Sequence, residues 1–498
     1  MSKSAGNKKV TLVHSGSKGG YLHIPLGILY LAESLIRNGF DPKLVDLRLR
    51  DLTPEDLEGA LFVGVSHMTG SLQIPPALTC ARIAKSMNVP VVFGGTHPSM
   101  LTEQTAAHPL VDIAVKGEGE DVVVELAEHF QGKKDLHSIK GIAYKDASGK
   151  ALFTGDRKPP TFDRVTHLPY DLLPMEKYSA TNADFGCQSS RGCPHRCAFC
   201  AEVALYPKLW RPKSARVVAE EIEGILKKFT PNRMYFPDSN FFCSQKRVSE
   251  FCNLVIERGI KTDFFAECRF DYFYEYSSEF IDLIKKAGFN EIEFGGESGS
   301  DLTLKYVKKD ITTKQIIKGI EKCKEAGLRS FTSFMIGFPG ETKKERMKTL
   351  DMFDRIQTID PEGARINGLF VYSPFPGTEL YDIVVNEWGF EPPKNLDGWA
   401  KFELYDSSNI TWLDEKTKKE LQTISTLVRY FFVYKSLSSW NFSEKVKRHG
   451  GFLKALLSVI FNGSLYPAAR LRWKLRAFKF CYEWKLWQKV FYSFMGRK

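Results

Sequence analysis

The sequence predicts an α/β protein of two successive units: a doubly wound parallel sheet, then an open, partial (β/α)6 barrel, followed by a mainly helical C-terminal region. Three observations predict it. Strand-sized apolar runs alternate with helix-period segments through about the first 145 residues, the pattern of a parallel sheet covered on both faces. A proline-bearing connector then interrupts that pattern, and the alternation restarts with a different spacing. The restart gives about six strand–helix units, short of the eight that close a (β/α) barrel. The 498 residues leave room for about three domains, and the boundaries fall at 1–150, 151–180 (linker), 181–396 and 397–498.

In the first unit, "KVTLVH" reads as a strand, "PLGILYLAESLIRNGF" as a helix and "DPKLVDL" as a second strand. "ALFVGVSH", "VPVVFGG" and "VDIAV" follow as strands, separated by helical segments. Ligands of such sheets sit beyond the carboxyl ends of the strands. Those ends carry "HSGSKGG", "SHMTGS", "GGTHPS" and "KGEGE". Glycine there lets backbone approach a ligand closely, while hydroxyls and imidazoles supply hydrogen bonds. Ordinary turns share this composition, but four such loops in register point to a cofactor site. The candidates are Ser66, Thr69, Gly94, Gly95, His97, Gly117 and Glu118.

The connector "DRKPPTFDRVTHLPYDLLP" cannot continue a helix through Pro159 and Pro160. In the second unit, "SARVVAEEIEGILKKF" places Ser214 as a helix N-cap and Val218, Ile222, Ile225 and Phe229 on one face. Strands are expected at "RMYFPD", "DFFAECR", "EIEFGGE", "RSFTSFMIGFPGE" and "RINGLFVYSPFPG". Catalytic groups of such barrels lie at the C-terminal strand ends.

Before the first of these helices stands "RGCPHRCAFC", with Cys193, Cys197 and Cys200 spaced C-x3-C-x2-C. Structural zinc takes four ligands, and the nearest further candidates, Cys187 and His195, do not make paired C-x2-C knuckles. A redox dithiol would need only Cys197 and Cys200, and lacks its usual context. The remaining reading is an iron–sulfur cluster held by thiolates. Three protein ligands on a four-iron cluster leave one iron open.

This motif, with Phe199 before the last cysteine, resembles the radical S-adenosylmethionine (SAM) superfamily. The resemblance implies a 4Fe-4S cluster whose open iron binds SAM, and a 5′-deoxyadenosyl radical formed when one electron cleaves the C–S bond. The electron would come from an external donor of the flavodoxin or ferredoxin type. "GGES", with Gly296, Glu297 and Ser298, resembles the segment that approaches the SAM amino group and ribose; "GFPGET", with Gly337, and "PFPGTEL" are similar to later loops at the adenine and the barrel mouth. Arg269 and Asp238 fall at strand ends that approach SAM or substrate in related sequences, and a structural, salt-bridged role is the alternative. A Rossmann-like unit ahead of such a barrel is similar to the cobalamin-binding class, on "PLG", Asp46 and the loops above. "DLHSIKG" has one residue too many for the cobalt-ligating D-x-H-x-x-G pattern, so His137 is expected on the surface and His97 is the histidine expected near the cofactor.

These resemblances imply a cobalamin- and SAM-dependent C-methyltransferase acting on an unactivated carbon. A non-methylating cyclase or rearrangement enzyme with the same cofactors is one alternative, and a non-enzymatic cobalamin- or metal-binding protein is another. A methylthiotransferase would need three cysteines in its first domain, where only Cys80 occurs.

The formal net charge of +11 is local, since residues 450–498 hold many Lys and Arg against the single acid Glu483. In that tail Leu471, Leu475, Phe478, Tyr482 and Leu486 fall at helical spacing, with Arg470, Arg472, Lys474, Arg476 and Lys485 largely elsewhere. A basic amphipathic helix with Trp and Phe reads as a membrane-surface element, against a final helix packed on the barrel. It makes a hydrophobic substrate attractive: a lipid, polyprenoid or tetrapyrrole. No nucleic-acid recognition motif accompanies it. Sparse cysteines, no apolar leader and no run of about 18 apolar residues lead us to expect a cytoplasmic protein, peripheral at the inner membrane face if the tail docks there.

Overall fold

The computed structural model describes residues 8–18, 22–164, 166–179, 184–428 and 467–479. The first sheet contains β1 (Lys9–His14), β2 (Asp41–Asp46), β3 (Val63–Ser66), β4 (Val91–Gly94), β5 (Ile113–Val115), β6 (Ile142–Lys145) and β7 (Ala151–Phe153). Its order is β2-β1-β3-β4-β5-β6-β7. The first five strands pair in parallel, as the near-continuous apolar runs require.

The last two strands depart from the expectation. β6 and β7 form an antiparallel hairpin on the edge of the sheet. β7 begins at Ala151, in the stretch read from sequence as linker. Its turn is built on Asp146, whose carboxylate accepts from the Ser148 and Lys150 amides, with Gly149 at φ 83°.

A short ladder, β9 (Ser190–Arg191) with β10 (Arg211–Pro212), brackets the cysteine loop. The second sheet comprises β8 (Phe185–Gly186), β11 (Met234–Phe236), β12 (Phe264–Cys268), β13 (Phe289–Glu297), β14 (Arg329–Ile336) and β15 (Ala364–Val371). All six strands are parallel, in the order β15-β14-β13-β12-β11-β8. That order is sequential and does not close, so the sheet is a partial barrel.

Helix Ala215–Lys228 buries Val218, Ile222 and Ile225, as the 3.6 period predicts. Ser214 sits at its N-cap, yet its hydroxyl donates to Asp163 in the connector instead of capping the helix. The two units share a core: one buried cluster joins Ile28 and Leu29 to Phe185, Ile222 and Phe236. Tyr178, after the connector, donates to Asp46 at the end of β2 over 2.6 Å. Asp46 is consumed by this bond and by Arg48.

Among the described residues no helix is long and apolar enough to cross a membrane.

Of the basic tail, only its first part is described. Residues 467–474 are helical and lie on the helix Lys343–Ile359. Trp473 and Phe478 are buried there, whereas Leu471 and Leu475 are 58% and 64% exposed. The expected apolar face is therefore split, because the indole outcompetes leucine for the barrel contact: it stacks on Phe353 and also donates Nε1 to Asp354. Tyr482, Lys485 and Leu486 lie outside the described residues.

Candidate functional site

The cysteine loop leaves β9 and is pinned at its middle from two directions. The Ala198 amide donates to the Val307 carbonyl, and the Ala198 carbonyl accepts from the Leu380 amide, both over 2.9 Å. Leu380 belongs to "PFPGTEL", where Thr378 caps the following helix by accepting from Tyr381. Phe199 packs on Phe338 of "GFPGET", ring centroids 6.0 Å apart. Loops from separate strands thus fix the short segment that carries Cys193, Cys197 and Cys200. All three are free thiols.

Burial raises the Cys193 and Cys200 thiols, Cys200 to about 12, while Lys309 pulls both the other way. Metal or cluster ligation needs thiolates, so the positive groups around the loop matter. The Arg269 guanidinium reaches Cys197 Sγ at 3.8 Å and is itself held by Asp271 and the Lys309 carbonyl. His195, inside the loop, bonds Tyr272 over 2.6 Å, and Tyr272 lies 4.0 Å from Cys243. Among the described residues no three His, Cys, Asp or Glu side chains converge on a point where a single ion could sit, as zinc would require. Two half-buried thiols and one buried thiol on a pinned loop, backed by two cations, fit a thiolate-held anionic cluster.

At the end of β13, Glu297 adopts φ 56°, a left-handed conformation that costs a non-glycine residue of order 1–3 kcal/mol. Its carboxylate accepts from Lys309 Nζ at 2.8 Å, and both groups are buried. Gly295 and Gly296 make this possible. A Cβ on Gly295 would stand 2.4 Å from the Glu297 carboxylate, and one on Gly296 2.9 Å from the Phe334 ring. Ser298 is fully buried and shares a hydrogen bond with Thr349. Replacing Lys309 by methionine should leave the Glu297 charge buried and unpaired, costing roughly 3–5 kcal/mol of stability. Thermal unfolding of the variant beside Lys309→Arg checks this; equal melting of wild type and both variants would refute it.

Other predicted residues are placed less directly. Gly337, at φ 83°, spends its amide on Glu341 and its carbonyl on Trp412. Glu341 is buried and raised to about 8 by desolvation. Asp238 is 1% exposed and accepts from Ser189 and Ser190, with Arg247 completing the charge balance. It supports the strand that enters the cysteine loop.

Between the strand ends of the two units lies a cavity of about 460 Å³. Ser66, Gly94, Gly95, Gly117 and Glu118 line it from the first sheet; Gly186, Gln188 and Tyr235 line it from the second. Gly27, of the "PLG" segment, and Gly117 would meet nothing within 4 Å of an added Cβ, and Gly94 only Val115 at 3.9 Å. Side chains there would fill the cavity, so the glycines keep it open. Its inner wall is apolar, with Leu12, Leu31, Val92, Val123 and Leu126, and suits a bulky cofactor with one apolar portion. These residues fit cobalamin.

Thr69 and His97 do not line the cavity. They bond each other at 3.1 Å, and His97 is fully buried between His67 and Trp399. Glu118 lines the cavity, but its carboxylate pairs with Arg191 and Arg211 across the unit boundary. Arg191 also bonds Glu120 at 2.5 Å and packs over the Phe162 ring. His137 bonds Tyr144, remote from the cavity. Arg191, Lys309 and Tyr272 carry no local sequence signal, since their partners Glu118, Glu297 and His195 lie 73, 12 and 77 residues away.

Residues 187–353 match the Radical SAM superfamily and residues 16–127 the B12 binding domain. An uncharacterized methyltransferase of Pyrococcus horikoshii is 31% identical over 445 residues, 86% of this chain and 91% of its own length. The anaerobic magnesium-protoporphyrin IX monomethyl ester cyclase of Rubrivivax gelatinosus is 26% identical over 492 residues, covering 93% and 85%. The radical SAM methyltransferase TsrM of Kitasatospora setae, solved with cobalamin and a 4Fe-4S cluster, superposes with a TM-score of 0.65 at 18% identity, covering 78% of this chain and 80% of that one. The cofactors of this enzyme are a 4Fe-4S cluster, SAM and cobalamin. Two matched domains, a full-length relative and a shared architecture agree: the chain belongs to the cobalamin-binding radical SAM enzymes.

Proposed function

We propose that the enzyme is a C-methyltransferase acting on an unactivated carbon of a hydrophobic substrate. The observation that carries this reading is the meeting of the two units. The glycine-lined cavity of the first opens against Gly186, Gln188 and Tyr235 of the second, and Arg191 ties its rim to the cysteine loop. When bound, the cluster and SAM supply a hydrogen-abstracting radical, and cobalamin supplies the methyl group.

The protein's own work is positioning and shielding. Cys193, Cys197 and Cys200 would hold the cluster, with Arg269 and Lys309 balancing its charge. Gly295, Gly296 and Glu297 would present backbone to SAM, with the Lys309 ion pair fixing their unusual path. Gly27, Gly94 and Gly117 would admit cobalamin, and the apolar wall would exclude water from its buried part. The similarity to a methyltransferase over most of both chains supports methyl transfer.

A second reading, a non-methylating cyclase or rearrangement enzyme, is favoured by the similarity to the R. gelatinosus cyclase over 93% of this chain. That relative's tetrapyrrole also supports a large apolar substrate. The products separate the readings. Radical methylation is expected to yield S-adenosylhomocysteine and 5′-deoxyadenosine in equal amounts per methylated product. A radical-only reaction yields 5′-deoxyadenosine alone, and mass spectrometry of reconstituted enzyme with candidate lipid and pigment extracts reads the ratio.

A further inference from the structure

We propose that the segment bearing Leu471 and Leu475, at the end of the helix 467–474, docks the enzyme on an anionic phospholipid bilayer. The inference starts from how this helix is held. Ala469, Trp473 and Phe478 are buried at 1%, 6% and 2% exposure. Trp473 stacks on Phe353 with an interplanar angle of 7° and donates to Asp354 over 2.7 Å. Arg476 bonds both Asp351 and Asp354. Two carboxylates and one aromatic stack thus clamp the segment in a single rotation on the helix Lys343–Ile359.

That rotation leaves an apolar face outward. Leu471 and Leu475 are four residues apart, so they stand one above the other, each more than half exposed. Arg470 and Lys474, also exposed, flank them on the same stretch. From Arg470 to Lys479 there are Arg470, Arg472, Lys474, Arg476 and Lys479 and no acid, and Arg476 is paired with Asp351 and Asp354. The sequence beyond, outside the described residues, continues with Trp484, Lys485, Trp487, Lys489, Phe491, Phe494, Arg497 and Lys498 against Glu483 alone.

A pair of exposed leucines rimmed by cations needs an apolar partner in front and an anionic one at the sides. The boundary between acyl chains and phosphate headgroups offers both at that spacing. A nucleic acid would meet the charges but leave the leucines in water. A second copy of this chain would bring the same basic rim against itself and repel. The proposal does not depend on the reaction: vesicle binding reads no chemistry, and product analysis in detergent reads no docking.

The test is flotation of the full-length, cluster-loaded enzyme with phosphatidylcholine vesicles, with and without phosphatidylglycerol. Wild type is expected to float with the anionic vesicles only, and to be released by added salt. The Leu471→Asp/Leu475→Asp variant is expected to bind about tenfold more weakly, with unchanged melting and iron content, because both side chains already face solvent. Failure of wild type to float, or equal flotation of the variant, overturns the proposal. So does a concentration-dependent dimer in sedimentation that the variant abolishes, which would make the leucines a subunit contact.

Discussion

Replacing Cys197 by serine is expected to abolish SAM cleavage altogether. Cys197 is the most enclosed of the three motif thiols by residue exposure, at 7%, and the one that Arg269 approaches. Serine keeps the volume and removes the thiolate, so the loop should fold while the cluster fails to assemble. Ala198 keeps both backbone bonds, which do not involve the thiol. The expected readings are near-native melting, sharply reduced iron and sulfide after anaerobic reconstitution, and no 5′-deoxyadenosine under reductant. Cys193→Ser and Cys200→Ser should do the same. Cys243→Ser is the contrast: this cysteine lies outside the motif, its sulfur 4.0 Å from the Tyr272 hydroxyl, and SAM cleavage should persist. Retention of a full iron complement by the Cys197 variant would overturn the assignment of the motif.

The second large effect concerns the cavity. Gly94→Leu should weaken cobalamin binding about 100-fold, which is ~2.7 kcal/mol, by projecting an isobutyl group into the space a ligand needs. The site can accept the Cβ without a clash, since its only neighbour within 4 Å is Val115 at 3.9 Å. Gly27→Leu is a second variant with the same expectation and a lower folding risk. Gly27 lies in the first turn of the helix Leu26–Arg37, nothing stands within 4 Å of its Cβ, and leucine is the better helix former. Both variants should still cleave SAM to 5′-deoxyadenosine, because the cysteine loop and the Gly295–Glu297 segment are untouched. Methyl transfer should be lost. Normal cobalamin content in both variants, measured spectroscopically after gel filtration, would move the cofactor elsewhere.

Much of this is legible in the amino-acid sequence. Parallel strands buried on both faces are written as unbroken apolar runs, so β1 to β5 and the second sheet could be read directly. The hairpin β6–β7 escaped because its strands are only four and three residues long and β7 is partly exposed; the Asp-Ala-Ser-Gly turn at 146–149 was the available signal. The cysteine spacing named a cluster because ligand count is chemistry, independent of fold. The remaining positions depended on partners far along the chain. Glu118 was expected to face a cofactor and does border the cavity, yet its charge is taken by Arg191 and Arg211, 73 and 93 residues away. Lys309 had no pattern around it at all. It becomes visible only when β13 brings Glu297 beside it and the loop brings Cys197 near both. In the tail, period alone could not tell which apolar side chains face protein. The aspartates on the helix Lys343–Ile359 decide it by capturing Trp473 and Arg476.

The Arg191 junction has a thermodynamic consequence. Its guanidinium bonds Glu118, on the rim of the cavity, and Glu120 at the start of the next helix, while its backbone leads directly into Gly192 and Cys193. A ligand that shifts Glu118 must therefore change the tension on the cysteine loop. Coupling of this kind is reciprocal in free energy: whatever cavity occupancy does to the stability of the loaded loop, loop loading does in equal measure to affinity in the cavity. The affinities of the two halves of the enzyme are expected to be linked, so that removing one cofactor changes the binding of the other by the same factor in either order.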